Sequence, residues 1–214
     1  KNKFSFLIIR KMIILPNPLD PKFLNLSPRK LNFNYKILSV GRLTEQKDHQ
    51  TLIKAYSNLV NEFPNWKLYI LGEGHLRKKL EFLIEELDLC QNVFLPGIHS
   101  NIMRFYSDSD IFVMSSKYES FGLVITEAMA FSLPVIGFKN CPGINKLIIN
   151  NKTGLLVESG HDKVDALSKA MRKLMINEKI RHEFGECGYK KVNNYYSVTK
   201  IIDSWEELLF NSLS

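Results

Sequence analysis

The sequence predicts an α/β protein with a Rossmann-like, doubly wound parallel sheet, and three observations carry that prediction. Short apolar runs bounded by glycine or proline recur along the chain, the segments between them have apolar residues at helical spacing, and polar residues follow directly after several runs. Alternating strand and helix patterns are typical of a parallel sheet with helices on both faces. Such sheets bind ligands at the carboxyl ends of their strands.

The elements follow one another with little interruption. A short strand pattern at 12–15 is followed by a proline-rich connector at 16–23. Strand patterns and helix patterns then alternate, and extra helices close the chain. Six sheet strands are expected. Strand patterns occupy 36–40, 66–71, 92–95, 111–116 and 133–137, and short apolar runs at 146–149 and 154–157 surround a turn. Helix patterns occupy 45–63, 75–88, 100–107, a segment beginning at Gly122, 162–175, 178–193 and 198–211.

Composition narrows the classes of protein. The 214 residues suit one globular domain with flanking pieces, and no apolar run approaches the ~20 residues that span a bilayer. Cys90, Cys141 and Cys187 are too scattered for a metal site, which favours idle thiols in a reducing cytoplasm. The net charge of +7 fits a phosphorylated ligand or a peripheral contact with an anionic membrane surface. No nucleic-acid-binding pattern accompanies it.

The stretch between the fourth and fifth strands carries the functional prediction. Glu119 falls in the loop after a strand, and Glu127 lies eight residues later, about one and a half turns into a helix. The amides of Phe121, Gly122 and Leu123 stand at that helix N-terminus, where unpaired N–H groups and the helix dipole attract an anion. Carboxylates so close to an anion site are suited to accept hydrogen bonds from hydroxyl groups of the ligand. A ligand that has both hydroxyl groups and phosphate suggests a nucleotide sugar. Acid–base catalysis by the carboxylate pair is the disfavoured alternative.

The loop after the first strand brings cations to the same edge. Gly41 ends the strand, Arg42 follows it, and Lys47 lies just inside the next predicted helix. Arginine can grip two phosphate oxygens through its planar fork, and lysine adds a mobile point charge. The loop therefore predicts a diphosphate site, with a surface salt bridge and a solvated lysine as the plainer alternative.

Two further strand-end loops contain glycines. Gly72 and Gly74 begin a partial dinucleotide-binding fingerprint, but Arg77 stands where its third glycine would be, in the second rather than the first βα unit. A tight turn, in which Gly72 could also shape a wall beside a nucleoside, is the favoured interpretation, and a nicotinamide-dependent oxidoreductase is a disfavoured alternative. Pro96 and Gly97 offer backbone groups that could line a base pocket.

Together these motifs resemble the C-terminal, donor-binding half of the GT-B-fold retaining glycosyltransferases of group 1 (family 4-like). The resemblance covers nearly the whole chain, and the ordered set of motifs at strand ends makes it specific. Its parts are PNPLDPKF (16–23), VGRL and a lysine (40–47), LGEG (71–74), FLPG (94–97), the paired glutamates of 119–127, LPVIG (133–137) and TGLLV (153–157).

The resemblance implies a role for each site residue. Arg42 and Lys47 would neutralise the donor diphosphate, Glu127 would accept hydrogen bonds from ribose hydroxyls, and Glu119 would face the donor sugar. The catalytic set would be Glu119, Arg42 and Lys47, and the amides that follow Glu119 would hold sugar and phosphate oxygens. Such enzymes retain configuration, typically need no divalent metal or other cofactor, and assemble surface polysaccharide or glycolipid on the cytoplasmic side. Lys146 stands where a glutamate is common, so the donor sugar stays open.

The resemblance also implies a domain division. Residues 1–34 would be the end of an N-terminal domain and a linker, 35–195 the nucleotide-sugar-binding domain, and 196–214 a crossover helix. The family's acceptor-binding N-terminal domain is not among these residues, so it would come from a longer protein or a partner chain. A non-catalytic nucleotide-binding module that completes a partner is an alternative. The isolated chain would bind donor weakly, transfer little and dimerise through the N-terminal segment and the apolar stripe of its last helix at 198–210.

Overall fold

The protein is described by a computed structural model over residues 15–24, 26, 34–158 and 160–213. The strand pattern at 12–15, apart from its last residue, lies outside the described residues. So does most of the segment predicted to end an N-terminal domain.

The described chain forms one six-stranded sheet of β1 (Lys36–Val40), β2 (Lys67–Leu71), β3 (Val93–Gly97), β4 (Ile111–Met114), β5 (Val135–Phe138) and β6 (Gly154–Val157). Their order across the sheet is β3-β2-β1-β4-β5-β6, and every neighbouring pair is parallel. The predicted doubly wound α/β fold is therefore confirmed. The order reverses between β1 and β4, and a reversal of this kind opens a crevice at the carboxyl ends of the two strands.

Helices cover the sheet and extend beyond it, as the sequence predicts. Among them the helix at His49–Ser57 packs against the helix at Lys163–Ile176, and the helix at Leu123–Ala130 packs against the helix at Glu178–Tyr195. Layers on both sides explain why the strands are nearly uninterrupted apolar runs. A short 3₁₀ helix, Pro21–Phe23, precedes α1 (His49–Ser57), α2 (Arg77–Glu86), α3 (Ile102–Ser107), α4 (Leu123–Ala130), α5 (Pro142–Asn145), α6 (Lys163–Ile176), α7 (Glu178–Tyr195) and α8 (Val198–Leu213).

Two boundaries differ from the prediction. The helix expected at 45–63 is α1 alone, because Asp48 has a left-handed φ of 49° that blocks an earlier start. After α1, turns bring Leu59 and Phe63 onto the core, so their helical spacing reflects packed turns. The apolar run at 146–149 follows α5 and belongs to no strand of the sheet, although Leu147 is buried.

The proline-rich connector is anchored to the domain by two buried side chains. Leu19 and Phe23 are 1% and 2% exposed. The Leu19 N–H donates to the Tyr196 carbonyl at 2.8 Å, and the Phe23 ring meets the rings of Tyr106 and Phe131 edge-on at 6.2 Å. The connector therefore lies against α3, α4 and the junction of α7 with α8.

The predicted apolar stripe of α8 is divided between core and surface. Ile201 is 4% exposed, whereas Ile202, Trp205 and Phe210 are exposed. The self-association predicted for this stripe stays a prediction. None of the helices in the described ranges is long and apolar enough to cross a membrane.

Candidate functional site

Three strand-end loops meet through their backbones at one side of the crevice. The Gly41 N–H donates to the Leu71 carbonyl and the Gly72 N–H donates to the Gly97 carbonyl, both at 2.9 Å. A β-carbon on Gly72 would lie 2.1 Å from the Gly41 oxygen, and the φ of Gly72 is 134°. Only glycine fits there. The structure therefore brings together the predicted glycines of β1, β2 and β3.

Arg77, in the third glycine position of the partial fingerprint, braces these loops. Its guanidinium donates to both oxygens of Glu73 at 2.6 and 2.8 Å and to the Leu95 carbonyl at 3.1 Å. Pro96 follows within β3 and is half-buried. This arrangement agrees with the tight-turn interpretation of the glycines.

An ion pair joins the loops after β1 and β4 across the switch point, which is the place where the strand order of the sheet reverses. Lys47 Nζ lies 2.5 Å from Glu119 Oε1, and the two side chains are only 15% and 10% exposed. The same loops are joined by two further hydrogen bonds, since the Ser115 hydroxyl donates to the Lys47 carbonyl and the Lys117 N–H donates to the Gln46 carbonyl, both at 2.8 Å. The predicted diphosphate lysine and the predicted sugar-facing glutamate are thus direct neighbours.

Arg42 completes the cationic side of the crevice. It is exposed on the loop after β1, and within the described residues it has no ion-pair partner. Lys47 is engaged by Glu119, whereas the Arg42 fork is open to an anion from solvent. The two predicted phosphate-binding cations are therefore in different states.

The start of α4 faces the crevice without a side-chain cap. Gly122 precedes the helix with a φ of 83°, and no side chain accepts from its first amides. Leu123 is partly exposed there, whereas the Phe121 ring packs toward Tyr196, with ring centroids 5.9 Å apart. The Phe121 side chain thus anchors the loop, and the α4 amides remain available to an anion.

The loop that carries Glu119 rests on the start of α5. A β-carbon on Gly143 would lie 2.5 Å from the Glu119 carbonyl oxygen, so Gly143 permits this close approach. Lys146 follows on the same segment and, with Phe121 and Tyr196, lines a separate hollow of about 330 Å³. The residue that departs from the family pattern therefore lies beside the Glu119 loop.

Glu127 faces a cleft between α4 and the connector. It lines a cleft of about 530 Å³ bounded by the start of α4, Ile102 and the connector residues 18–23. Its Oε2 accepts a hydrogen bond of 2.7 Å from the Tyr106 hydroxyl. Burial raises the pKa of Glu127, while that hydrogen bond and the charge of Lys22 oppose the rise. The two glutamates therefore do not form one carboxylate pair.

His49 lies under the β1 loop as an unsatisfied buried group. It is 3% exposed, and neither ring nitrogen has a hydrogen-bond partner in the described part of the chain. Burial lowers its pKa to about 4, so the imidazole is neutral at physiological pH. It stands close to the backbone of Gly41 and Arg42, behind the cations of the crevice.

With this geometry in place, comparison with known proteins decides the family. The sequence profile described as "Glycosyl transferases group 1" matches residues 27–191. The chain belongs to this family. The nicotinamide-dependent alternative is thereby set aside. Within residues 15–24, 26, 34–158 and 160–213, no group of three or more His, Cys, Asp or Glu residues is placed to hold a metal ion.

Individual relatives of the chain are named glycosyltransferases. It is 31% identical to an uncharacterized glycosyltransferase of Haemophilus influenzae over 91% of this chain and 53% of that protein. It is 35% identical to the capsular polysaccharide biosynthesis glycosyltransferase CapM of Staphylococcus aureus over 90% of this chain and 48% of the relative. The chain thus spans about half the length of these two curated relatives.

Solved structures show which half of the GT-B fold this chain corresponds to. A variant of S. aureus TarM, crystallised with UDP, is 28% identical, with a TM-score of 0.78 over 87% of this chain and 38% of TarM. The C-terminal domain of a Francisella tularensis group 1 protein, LpcC, is 27% identical, with a TM-score of 0.70 over 80% of this chain and 88% of that domain. The predicted GT-B C-terminal half is confirmed.

Sequence reasoning missed several residues that complete the site. Tyr106 carried no signal beyond an apolar position in a short helix, and His49 resembled an ordinary residue at a helix start. Gly143 stands in a Pro-Gly pair, and its close approach to Glu119 depends on packing between distant loops. The connector residue Lys22 reaches the Glu127 cleft only because Phe23 is anchored in the core.

Proposed function

We propose that this chain is the donor-binding half of a retaining glycosyltransferase that takes a sugar from a nucleotide diphosphate sugar. One observation carries the proposal. Lys47 and Glu119 meet across the switch point, with Arg42 exposed on the same loop as the lysine and the uncapped start of α4 following the glutamate. Two cations and a helix N-terminus suit a diphosphate, and a carboxylate beside them suits a sugar hydroxyl.

The same groups suit the departure of a nucleoside diphosphate. Negative charge develops on the diphosphate as the bond to the sugar breaks, and fixed donors aimed at that charge stabilise the transition state. Lys47 would exchange Glu119 for a phosphate oxygen, which frees the carboxylate to face the sugar. Arg42 would add a two-pronged contact. These groups can stabilise the leaving group without a metal ion, so we propose metal-independent transfer.

The remaining predicted residues suit the nucleoside. Glu127, which is half-buried and lines the cleft beside α4, would accept a hydrogen bond from a ribose hydroxyl. Gly72, Pro96 and Gly97 would form a backbone wall for the base, because their strand ends are joined at the other side of the crevice. The donor would therefore lie along the carboxyl edge of the sheet, from β3 and β2 to the switch point.

The names of the relatives support this class of reaction. TarM was crystallised with UDP, and a 32% identical S. aureus relative is named a poly(ribitol-phosphate) alpha-N-acetylglucosaminyltransferase. CapM is named for capsular polysaccharide biosynthesis. We infer an acceptor in surface polysaccharide or glycolipid synthesis, reached on the cytoplasmic side, with peripheral contact to the membrane. The acceptor site would come from the rest of a longer protein or from a partner chain, and the isolated chain would transfer little.

Calorimetric titration with UDP, GDP and ADP in buffer containing a chelator tests the proposal. One nucleotide should bind selectively without metal, and Arg42→Ala and Lys47→Ala should weaken it. Lys54→Ala is the matched control, because Lys54 is exposed on α1 outside the crevice. If none of the three binds at millimolar concentration, or if the control weakens binding as much as the site variants do, the proposal is wrong.

A further inference from the structure

Tyr106 is the hydrogen-bond partner of Glu127 and is held rigidly. It lies on α3 and is 0% exposed. Its ring stacks on Phe131 at 5.4 Å and meets Phe23 edge-on, so neighbours on two sides fix its plane. A buried aromatic ring in close packing has no other rotamer available without displacing these neighbours. The position of its hydroxyl is therefore set by the core.

That fixed hydroxyl determines how Glu127 presents its carboxylate. A phenol has one proton to donate, and Tyr106 gives it to Oε2 of Glu127 at 2.7 Å. Within the described residues, no hydrogen bond to Oε1 is formed. One oxygen is thus held by the protein, and because Glu127 lines the cleft, its other oxygen is left as an acceptor for a ligand hydroxyl.

We propose that Tyr106 is a positioning residue that makes Glu127 select nucleotides with a complete ribose. The inference rests on the proposed function, in which Glu127 faces the ribose. A carboxylate locked in one orientation loses its partner when the ligand lacks the matching hydroxyl, and an unpaired half-buried acceptor is costly. Sites built to hydrogen-bond a hydroxyl reject analogues without it for this reason. A carboxylate free to rotate could turn toward water instead.

The charged groups around Glu127 give the inference a second readout. Lys22 and Asp20 approach from the connector, and Tyr106 approaches from α3. The Tyr106 hydrogen bond and the Lys22 charge favour the ionised carboxylate, whereas burial and the Asp20 charge favour the protonated one. Removal of the phenol hydroxyl should therefore raise the pKa of Glu127 further. Loss of nucleotide binding on acidification should then begin at a higher pH.

The experiment compares Tyr106→Phe with a matched control, Tyr56→Phe. Tyr56 is equally buried and its hydroxyl also donates a hydrogen bond, to the Trp66 carbonyl at 2.5 Å, but on α1 away from the cleft. Both variants keep the aromatic ring and the core packing. Affinities for the preferred nucleotide and for its 2′-deoxy and 3′-deoxy forms are measured by calorimetry between pH 5 and pH 8.

The wild type should prefer the complete ribose over at least one deoxy form by roughly tenfold. Tyr106→Phe should reduce that preference to a few-fold and raise the pH at which binding is lost, whereas Tyr56→Phe should change neither. In a Glu127→Gln background, Tyr106→Phe should have no further effect on the preference.

Two outcomes separate the inference from the proposed function. If the wild type binds and prefers the complete ribose, but Tyr106→Phe retains both the preference and the pH midpoint, the positioning role is overturned and the proposed function stands. If the wild type binds no nucleotide, or Glu127→Gln leaves the preference intact, the assignment of Glu127 to the ribose fails, and the inference fails with it.

Discussion

Glu119 and Glu127 lie eight residues apart in one motif, yet the fold gives them opposite partners. Glu119 pairs with the Lys47 ammonium at 2.5 Å, whereas Glu127 accepts from the neutral Tyr106 hydroxyl at 2.7 Å. In an ion pair each charge already has a partner, so a ligand that binds one of the two groups must displace the other. A phenol occupies one oxygen and leaves the carboxylate charge in place. One motif therefore provides a charge-paired glutamate at the crevice and a glutamate hydrogen-bonded to a neutral phenol at the cleft.

The surroundings of the two carboxylates differ in the same direction. The Glu119 loop is held by backbone contact with Gly143 and by the loop after β1, both at the sheet edge. Glu127 is held by α3 and by the connector, which are packed into the core. Changes at the crevice should therefore appear mainly in phosphate affinity, and changes at the cleft in ribose selection.

The largest effect should come from His49, the buried base behind the crevice. Its pKa falls from 6.5 in the unfolded chain to about 4 in the fold, so the unfolded state binds more protons between these values. The free energy of unfolding is therefore highest above pH 6.5 as far as His49 is concerned. It falls by about 3 kcal/mol as the pH decreases toward 4. In His49→Gln, the free energy of unfolding should lose that much less between pH 7 and pH 4, as urea denaturation can measure.

His99→Gln is the matched control, because His99 is exposed on the loop after β3. It should keep the acid sensitivity of the wild type. Equal pH slopes for His49→Gln and the wild type would show that the buried imidazole does not carry this dependence. The crevice would then have no acid-sensitive residue beneath it.

The next largest effect should come from Lys47→Gln. A hydrogen bond to a charged group contributes ~1.5–3 kcal/mol, so affinity for the preferred nucleoside diphosphate should fall by roughly 10- to 100-fold. Affinity for the corresponding nucleoside should stay unchanged, because it has no phosphate. Calorimetry measures both, and Lys54→Gln on α1 is the control. An equal loss for the nucleoside would mean that the substitution disturbs the whole site.

The sequence predicts the crevice better than the cleft, and the reason is the range of the interactions. Gly41, Lys47 and Glu119 lie at strand ends, and strand ends are set by local turn signals that the sequence displays. The contact between Tyr106 and Glu127 joins two helices, and it depends on how both pack against the sheet. No spacing rule relates residues on separate helices, so this partner could not be read from the motif.

The boundary of α1 illustrates the same limit. Leu59 and Phe63 have helical spacing and are packed on the core, but the left-handed backbone of Asp48 and the turns after Ser57 confine the helix to nine residues. Periodicity reports which side chains face the core. It does not report whether the backbone between them keeps helical hydrogen bonds. The orphaned ring of His49 is likewise a product of tertiary packing.

A smaller effect of opposite sign should distinguish Glu119 from Glu127. Glu119→Gln releases Lys47 and removes a negative charge beside the proposed phosphate site, so affinity for the nucleoside diphosphate should rise, by less than the roughly tenfold loss expected for Lys47→Gln. Glu127→Gln should instead lower that affinity, because a neutral amide accepts more weakly from a ribose hydroxyl. Calorimetry on the two variants gives the signs directly. A decrease for both would show that the Lys47 pair does not compete with the ligand.

The smallest effect should be on stability, through Glu127 itself. Burial raises its pKa above the unfolded value of 4.5, so the folded state holds the proton more tightly, and ionisation removes stability as the pH rises through the folded pKa. Glu127→Gln should therefore raise the melting temperature at pH 7.5 by at most ~3 °C, and the gain should shrink toward pH 4.5. Thermal unfolding followed by circular dichroism measures it, and a gain that does not change with pH would assign the effect to packing. A stability gain together with weaker nucleotide binding would show that the cleft keeps an ionised carboxylate at a cost to the fold, whereas the Lys47 pair leaves Glu119 compensated.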